Sequence, residues 1–235
     1  MSPFLGEFIG TMLLIIMGDG VVANVVLNKT KGNNSGWIVI TFGWAMAVFL
    51  GVYASNKLGG SGHLNPAVTI AMTAFNDFDA SLLPTYIAGQ FAGAIAGSII
   101  VWLAYKQHFD ETPDGDAKLA VFCTAPAIRS TFHNLITEAI GTFILVFGAM
   151  AMSKPTSTLG TLDALPVGLL ILGIGLSLGG PTGYAINPAR DLGPRIAHFI
   201  LPMKNKGNSD WSYSWIPVVG PIIGGLLAAW IFKML

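Results

Sequence analysis

The chain has 235 residues, of which 53% are hydrophobic and only 10% charged. Soluble domains carry about 25% charged residues, so twelve basic and twelve acidic side chains, with a mean hydropathy of +0.65, exclude both a soluble enzyme and a disordered chain. A formal net charge of zero gives no reason to expect a nucleic-acid partner, and the single cysteine, Cys123, excludes an intramolecular disulfide or a cysteine metal cluster.

The chain opens Met1-Ser2-Pro3-Phe4, without a basic stretch. No cleavable signal peptide is expected, and the first apolar segment is read as part of the mature protein. A spanning helix needs roughly 20 mostly apolar residues. Six segments qualify, at about 4–27, 36–57, 82–105, 131–153, 162–180 and 213–233. The first carries Glu7 and Asp19, and the fourth carries Glu138 near its start. Two further apolar stretches, 66–75 and 188–201, are too short to span. Each begins at an Asn-Pro-Ala after a glycine-rich approach, which reads as a re-entrant segment. Residues 106–130 hold seven charged side chains, from Lys106 to Arg129, and are read as a solvated loop. Cys123 within it has no expected chemistry.

The two halves repeat. Gly6-Glu7-Phe8-Ile9-Gly10-Thr11 parallels Thr137-Glu138-Ala139-Ile140-Gly141-Thr142, Asn65-Pro66-Ala67 parallels Asn187-Pro188-Ala189, and Gly89 and Gly93 parallel Gly220 and Gly224. Each half reads span, span, half-helix, span. An odd number of crossings per half makes the second copy enter from the opposite side, which is an inverted repeat. The expectation is an all-α membrane protein with six transmembrane helices and two re-entrant half-helices. It forms a single channel domain over 1–235, with repeat 1 at about 1–107, a linker at 108–130 and repeat 2 at about 131–235. Gly89, Gly93 and Gly97, echoed by Gly220 and Gly224, form small-residue faces for helix contact.

Asn is a strong N-cap and Pro is favoured at the first helical position. Asn65-Pro66 and Asn187-Pro188 are therefore helix starts. Each Asn oxygen can accept from its own helix, leaving its NH2 donors for a pore. Two half-helix N-termini, each worth roughly half a positive charge, would converge there. Such a point welcomes a neutral hydroxyl oxygen and repels a proton or a cation.

Ser61-Gly62-His63-Leu64-Asn65-Pro66-Ala67-Val68-Thr69 and Gly183-Tyr184-Ala185-Ile186-Asn187-Pro188-Ala189-Arg190-Asp191 resemble the hallmark stretches of the aquaporins, the major intrinsic protein family. The resemblance covers nearly the whole chain. It implies an aquaporin-like right-handed helix bundle, usually a homotetramer with four pores, multi-pass in the cell membrane with both termini cytoplasmic, and no cofactor or metal. Asp191, Arg195 and Pro217-Val218 resemble the glycerol-facilitator branch. That branch implies permeation by glycerol, water and other small neutral solutes: protonated lactic acid, hydrogen peroxide, urea and dihydroxyacetone. The resemblance also implies an aromatic/arginine constriction of Phe42, Gly175, Tyr184 and Arg190. Phe42 is preferred to Trp44 for its fourth member, and the two lie roughly 200° apart on a helix. Gly175 stands where the water-selective branch often has His, and the absence of that imidazole is expected to open the pore. The implied lining carbonyls are those of Ser61, Gly62, His63, Leu64, Gly183, Tyr184, Ala185 and Ile186.

Glu7 and Glu138 are read as structural acceptors for backbone N–H groups of the loops before the half-helices, rather than as a proton relay. Asp191 is read as a first-turn acid favouring the helix dipole. His63 is read as pore wall or loop brace rather than a pH gate. Asp19 should face protein or lie near a membrane surface. Family topology places Lys57, Lys154 and Lys233 inside and the other lysines of the loops outside, against the usual positive-inside bias. Two other function classes share features with this sequence. A secondary transporter also uses inverted repeats and broken helices, but two Asn donors and two positive helix ends have the wrong polarity for Na⁺ or H⁺. An intramembrane serine protease is suggested by Gly59-Gly60-Ser61-Gly62, but adjacent His63 is poorly placed as a base.

Overall fold

The computed structural model describes residues 1–75, 78–152 and 158–235. Lys154 lies outside the described residues. Ten α-helices and no strands occur among those described. The first half contains α1 (Pro3–Val26), α2 (Trp37–Lys57), α3 (Pro66–Ala74) and α4 (Leu83–Ala104). A linker carries α5 (Lys106–Glu111) and α6 (Gly115–Phe122). The second half repeats the order with α7 (Thr131–Ala151), α8 (Leu165–Leu178), α9 (Pro188–Ile200) and α10 (Ile216–Met234). Six of these helices, with 3₁₀ turns leading into α4 and α8, are long and apolar enough to cross a membrane. α3 and α9 are the short pair.

Local sequence explains where the helices start. Proline stands in the first turn of α1, α3, α4, α8, α9 and α10, where its missing N–H costs no hydrogen bond. Ser2 caps α1, its hydroxyl accepting from the Leu5 N–H at 3.2 Å. The long helices are apolar on nearly every side. Their outward residues, such as Ile38, Leu103, Ile140 and Leu169, remain exposed, as a lipid-facing belt requires.

Packing within each half is close because glycines let backbones meet. A Cβ on Gly93 of α4 would lie 2.3 Å from the Phe8 carbonyl oxygen of α1. On Gly224 of α10 it would lie 2.0 Å from the Ala139 carbonyl oxygen of α7. The half-helices interlock the halves: α3 packs on α10, and α9 packs on α4.

The linker differs from the solvated loop that its charges suggest. Phe109, Val121, Phe122 and Cys123 are buried, Phe109 and Phe122 stacking at 5.5 Å between ring centroids. Most of the charges lie on the outer side: Lys106 pairs with Asp110 at 2.5 Å, and Lys29 pairs with Glu111. These lysines hold the carboxyls of Asp110 and Glu111 below the usual carboxylate range. Lys118 is buried, and its ammonium donates to the Lys204 carbonyl. A packed cover on the bundle therefore replaces an open loop, its apolar residues buried against Ala23, Leu27, Val101 and Ala197 of the neighbouring helices and loop.

Candidate functional site: a lined cavity and its constriction

Asn65 and Asn187 cap the two short helices head to head. The Asn65 side-chain oxygen accepts from the Ala67 N–H at 2.9 Å. That of Asn187 accepts from the Ala189 and Arg190 N–H groups at 3.0 and 3.2 Å. Each amide then reaches across the symmetry axis. Asn65 Nδ2 donates to the Ile186 carbonyl at 2.8 Å, and Asn187 Nδ2 donates to the Leu64 carbonyl at 2.8 Å. One N–H of each side chain is thus taken by the opposite loop, leaving one for the lumen. Pro66 and Pro188 hold the first helical positions, and Ala67 and Ala189 are fully buried beside them.

The approach loops are unwound and turned. Leu64, Tyr184 and Ile186 adopt φ of 52°, 38° and 43°, and Gly62 and Gly183 lie at 68° and 79°. A residue other than glycine held there costs about 1–3 kcal/mol, so something must over-determine the turn. Two buried carboxylates do. Glu7 accepts from the His63 N–H at 3.1 Å and the Leu64 N–H at 2.8 Å, and also from Ser55 and Gln90. Glu138 accepts from the Ala185 N–H at 3.1 Å, the Ile186 N–H at 2.7 Å and the Thr182 hydroxyl at 2.7 Å. Each carboxylate sits on a long helix and clamps the loop before the half-helix of its own repeat. Charge-assisted bonds of this kind are roughly twice as strong as neutral ones.

Between the halves lies a cavity of about 230 Å³. Its lining combines apolar side chains such as Val48, Val52, Leu145, Val167 and Ile171 with the unwound residues Ser61 to Leu64 and Tyr184 to Ile186, together with Asn65, Asn187 and Arg190. Gly183 is not among the lining residues; its N–H donates to the Gly179 carbonyl at 2.8 Å. His63 lines the cavity, its Nδ1 3.2 Å from the Thr69 hydroxyl and its ring against Phe78 and Tyr86.

The cavity lining differs from the expected reading of α2. Phe42 is 54% exposed and points to the outer surface, whereas Trp44 is 4% exposed and lines the cavity. The guanidinium of Arg190 lies 4.0 Å from the Trp44 ring centroid, a cation–π contact. The Arg190 Nη1 also donates to the Phe122 carbonyl at 3.2 Å. Gly175 stands behind Tyr184 rather than in the wall. A Cβ there would lie 2.9 Å from the Tyr184 ring and 3.0 Å from Thr41. The room that Gly175 leaves is therefore filled by the phenol. Trp37 holds this corner, donating from its indole to the Gly175 carbonyl at 3.1 Å and meeting the Tyr184 ring edge-on.

Asp191 is fully buried in the first turn of α9. It accepts from the Thr124 N–H and hydroxyl at 2.8 and 2.7 Å, and pairs with Arg195 at 2.8 Å. Arg195 in turn donates to the carbonyls of Thr124, Ser209 and Asp210. This network ties the segment after α6 to α9.

The Major intrinsic protein family pattern matches residues 1–232. The chain belongs to the major intrinsic protein family. It is 57% identical over 235 residues to the probable glycerol uptake facilitator protein of Thermotoga maritima, covering 100% of both chains. It is 55% identical over 235 residues to the glycerol uptake facilitator protein of Streptococcus pneumoniae, covering 100% of this chain and 99% of that one. Its fold matches the X-ray structure of the aquaglyceroporin from Plasmodium falciparum with a TM-score of 0.84 at 33% identity, over 98% of this chain and 94% of that one. Two contacts in this major intrinsic protein escaped the sequence reading. The Phe122 carbonyl on Arg190 comes from the linker, which has no periodic signal of its own. An ion pair between Asp19 and Arg190 at 3.8 Å joins residues far apart in the chain, although an acid alone in an apolar span already implies a partner on another helix.

Proposed function

We propose that this protein is a passive channel for glycerol, water and other small neutral solutes, including urea, dihydroxyacetone, hydrogen peroxide and protonated lactic acid, and that it excludes protons and ions. The observation that carries the reading is the mixed lining of the cavity. Its apolar side chains suit the C–H groups of a polyol, while the unwound backbone, Asn65, Asn187 and Arg190 suit its hydroxyls. Trp44, Tyr184 and Arg190 form the selectivity constriction, and Gly175 makes room for Tyr184. The Glu7 and Glu138 clamps and Asp191 act structurally. Converging positive helix ends and the Arg190 charge set the barrier to cations. The similarity to glycerol uptake facilitators over the full chain supports glycerol as a permeant. The channel is a homotetramer in the cell membrane with both termini cytoplasmic.

Stopped-flow light scattering on proteoliposomes tests this. Rapid reswelling in a glycerol gradient, with low activation energy and no dependence on an ion gradient, is the expected result. Water flux without glycerol flux makes the pore water-selective instead. Saturating, gradient-driven uptake makes it a transporter.

A further inference from the structure

The constriction has a layer behind it that comes from α1. Asp19 is fully buried in that helix. One carboxylate oxygen, Oδ2, accepts from the Ser98 hydroxyl of α4 at 3.1 Å. The other, Oδ1, has no hydrogen-bond partner and lies 3.8 Å from the Arg190 Nη1. The residue before it, Gly18, touches the other half of the constriction. A Cβ on Gly18 would fall 2.2 Å from the Trp44 ring, so only glycine lets the indole lie back against α1. Two adjacent residues of one helix thus serve the two sides of a cation–π pair: Gly18 seats the ring and Asp19 faces the guanidinium.

We infer that Asp19 is a positioning residue for the selectivity constriction, holding Arg190 against Trp44 and out of the lumen. The physical argument is the cost of an uncompensated charge. Arg190 is 7% exposed, and a buried cation without its counter-charge moves toward water. The water available to it is in the lumen, so loss of the Asp19 charge sends the guanidinium into the path of the permeant. Glycerol, the wider solute, is obstructed more than water. Asp19 also offsets the Arg190 charge, so the pair sets how strongly the constriction repels cations. This inference rests on Arg190 being the constriction arginine, as proposed above.

The test is a double-mutant cycle in proteoliposomes, with the parent, Asp19→Asn, Arg190→Ala and the double variant. Water and glycerol permeabilities are measured by stopped flow, and thermal unfolding is followed in detergent. Asp19→Asn is expected to lower the ratio of glycerol to water permeability about fivefold, a coupling of the size that contacting charged residues show. In the Arg190→Ala background the same substitution leaves the ratio unchanged. An Asp19→Asn protein with the parent's ratio, or an equal effect in both backgrounds, overturns the inference. Should Asp19→Asn fail to fold, a double variant that folds supports the pairing, and one that fails equally overturns it. A parent that passes no glycerol sinks the functional reading alone. The melting temperatures then decide the pairing, since additive losses overturn it and non-additive losses support it.

Discussion

At the residue scale, α2 shows how a motif count can choose the wrong neighbour. Phe42 and Trp44 are two residues apart, roughly 200° around a helix, so one lines the cavity and the other faces outward. Sequence position alone does not choose between them; the packing of Trp44 against Gly18 and Arg190 decides it. Trp44→Ala is expected to admit longer polyols that the parent excludes, raising their flux about tenfold, the order a pocket exerts per apolar group. Phe42→Ala leaves flux per channel unchanged; a change in selectivity with Phe42→Ala would overturn the assignment. Gly175 makes a second case. Its missing side chain reads as an opening, whereas Tyr184 occupies that space. Gly175→His is therefore expected to push the phenol into the lumen and cut glycerol flux more than water flux. Shortening the phenol in Gly175→His/Tyr184→Ala should restore glycerol passage, and stopped-flow traces of both variants check this. The half-helix caps, by contrast, were legible in full, because Asn-Pro encodes a helix start by local chemistry alone.

At the scale of elements, the six spans and two short helices were readable because length and apolarity are what a bilayer demands. The linker was not, because most of its charges face outward while its buried aromatics depend on a bundle made elsewhere in the chain. The loops before α3 and α9 depend on the carboxylates that clamp them. Glu138→Gln replaces an acceptor by a donor facing backbone N–H groups, and should cost about 2 kcal/mol, visible as a lower melting temperature together with parallel loss of water and glycerol flux. Gly224→Val places carbon where the Ala139 carbonyl already lies. It is expected to separate α10 from α7 and abolish recovery of monodisperse protein, whereas the same change at Gly173, where nothing lies within 4 Å, is tolerated. On the outer face, Lys29 depresses the Glu111 carboxyl, so that contact contributes above the unfolded carboxylate pKa and is lost as pH falls through the lower folded value. Lys29→Ala should make thermal stability less steep in pH between about pH 5 and 3.

At the scale of the whole molecule, the two halves are joined by more than a linker. α3 rests on α10 and α9 on α4, and the Asn65 and Asn187 amides each bond to the other half's loop. That exchange has a consequence for biosynthesis. When residues 1–107 have entered the bilayer, the Leu64 carbonyl and the Asn65 amide still lack the partners that residues 186 and 187 bring. The first re-entrant turn is therefore the earliest to be translated and among the last to be completed. A nascent chain arrested after α5 should leave residues 61–65 open to protease, and protection should arrive only once α9 has emerged from the ribosome. Completion of the lumen is thus a single late event, in which each half supplies the bond that finishes the other.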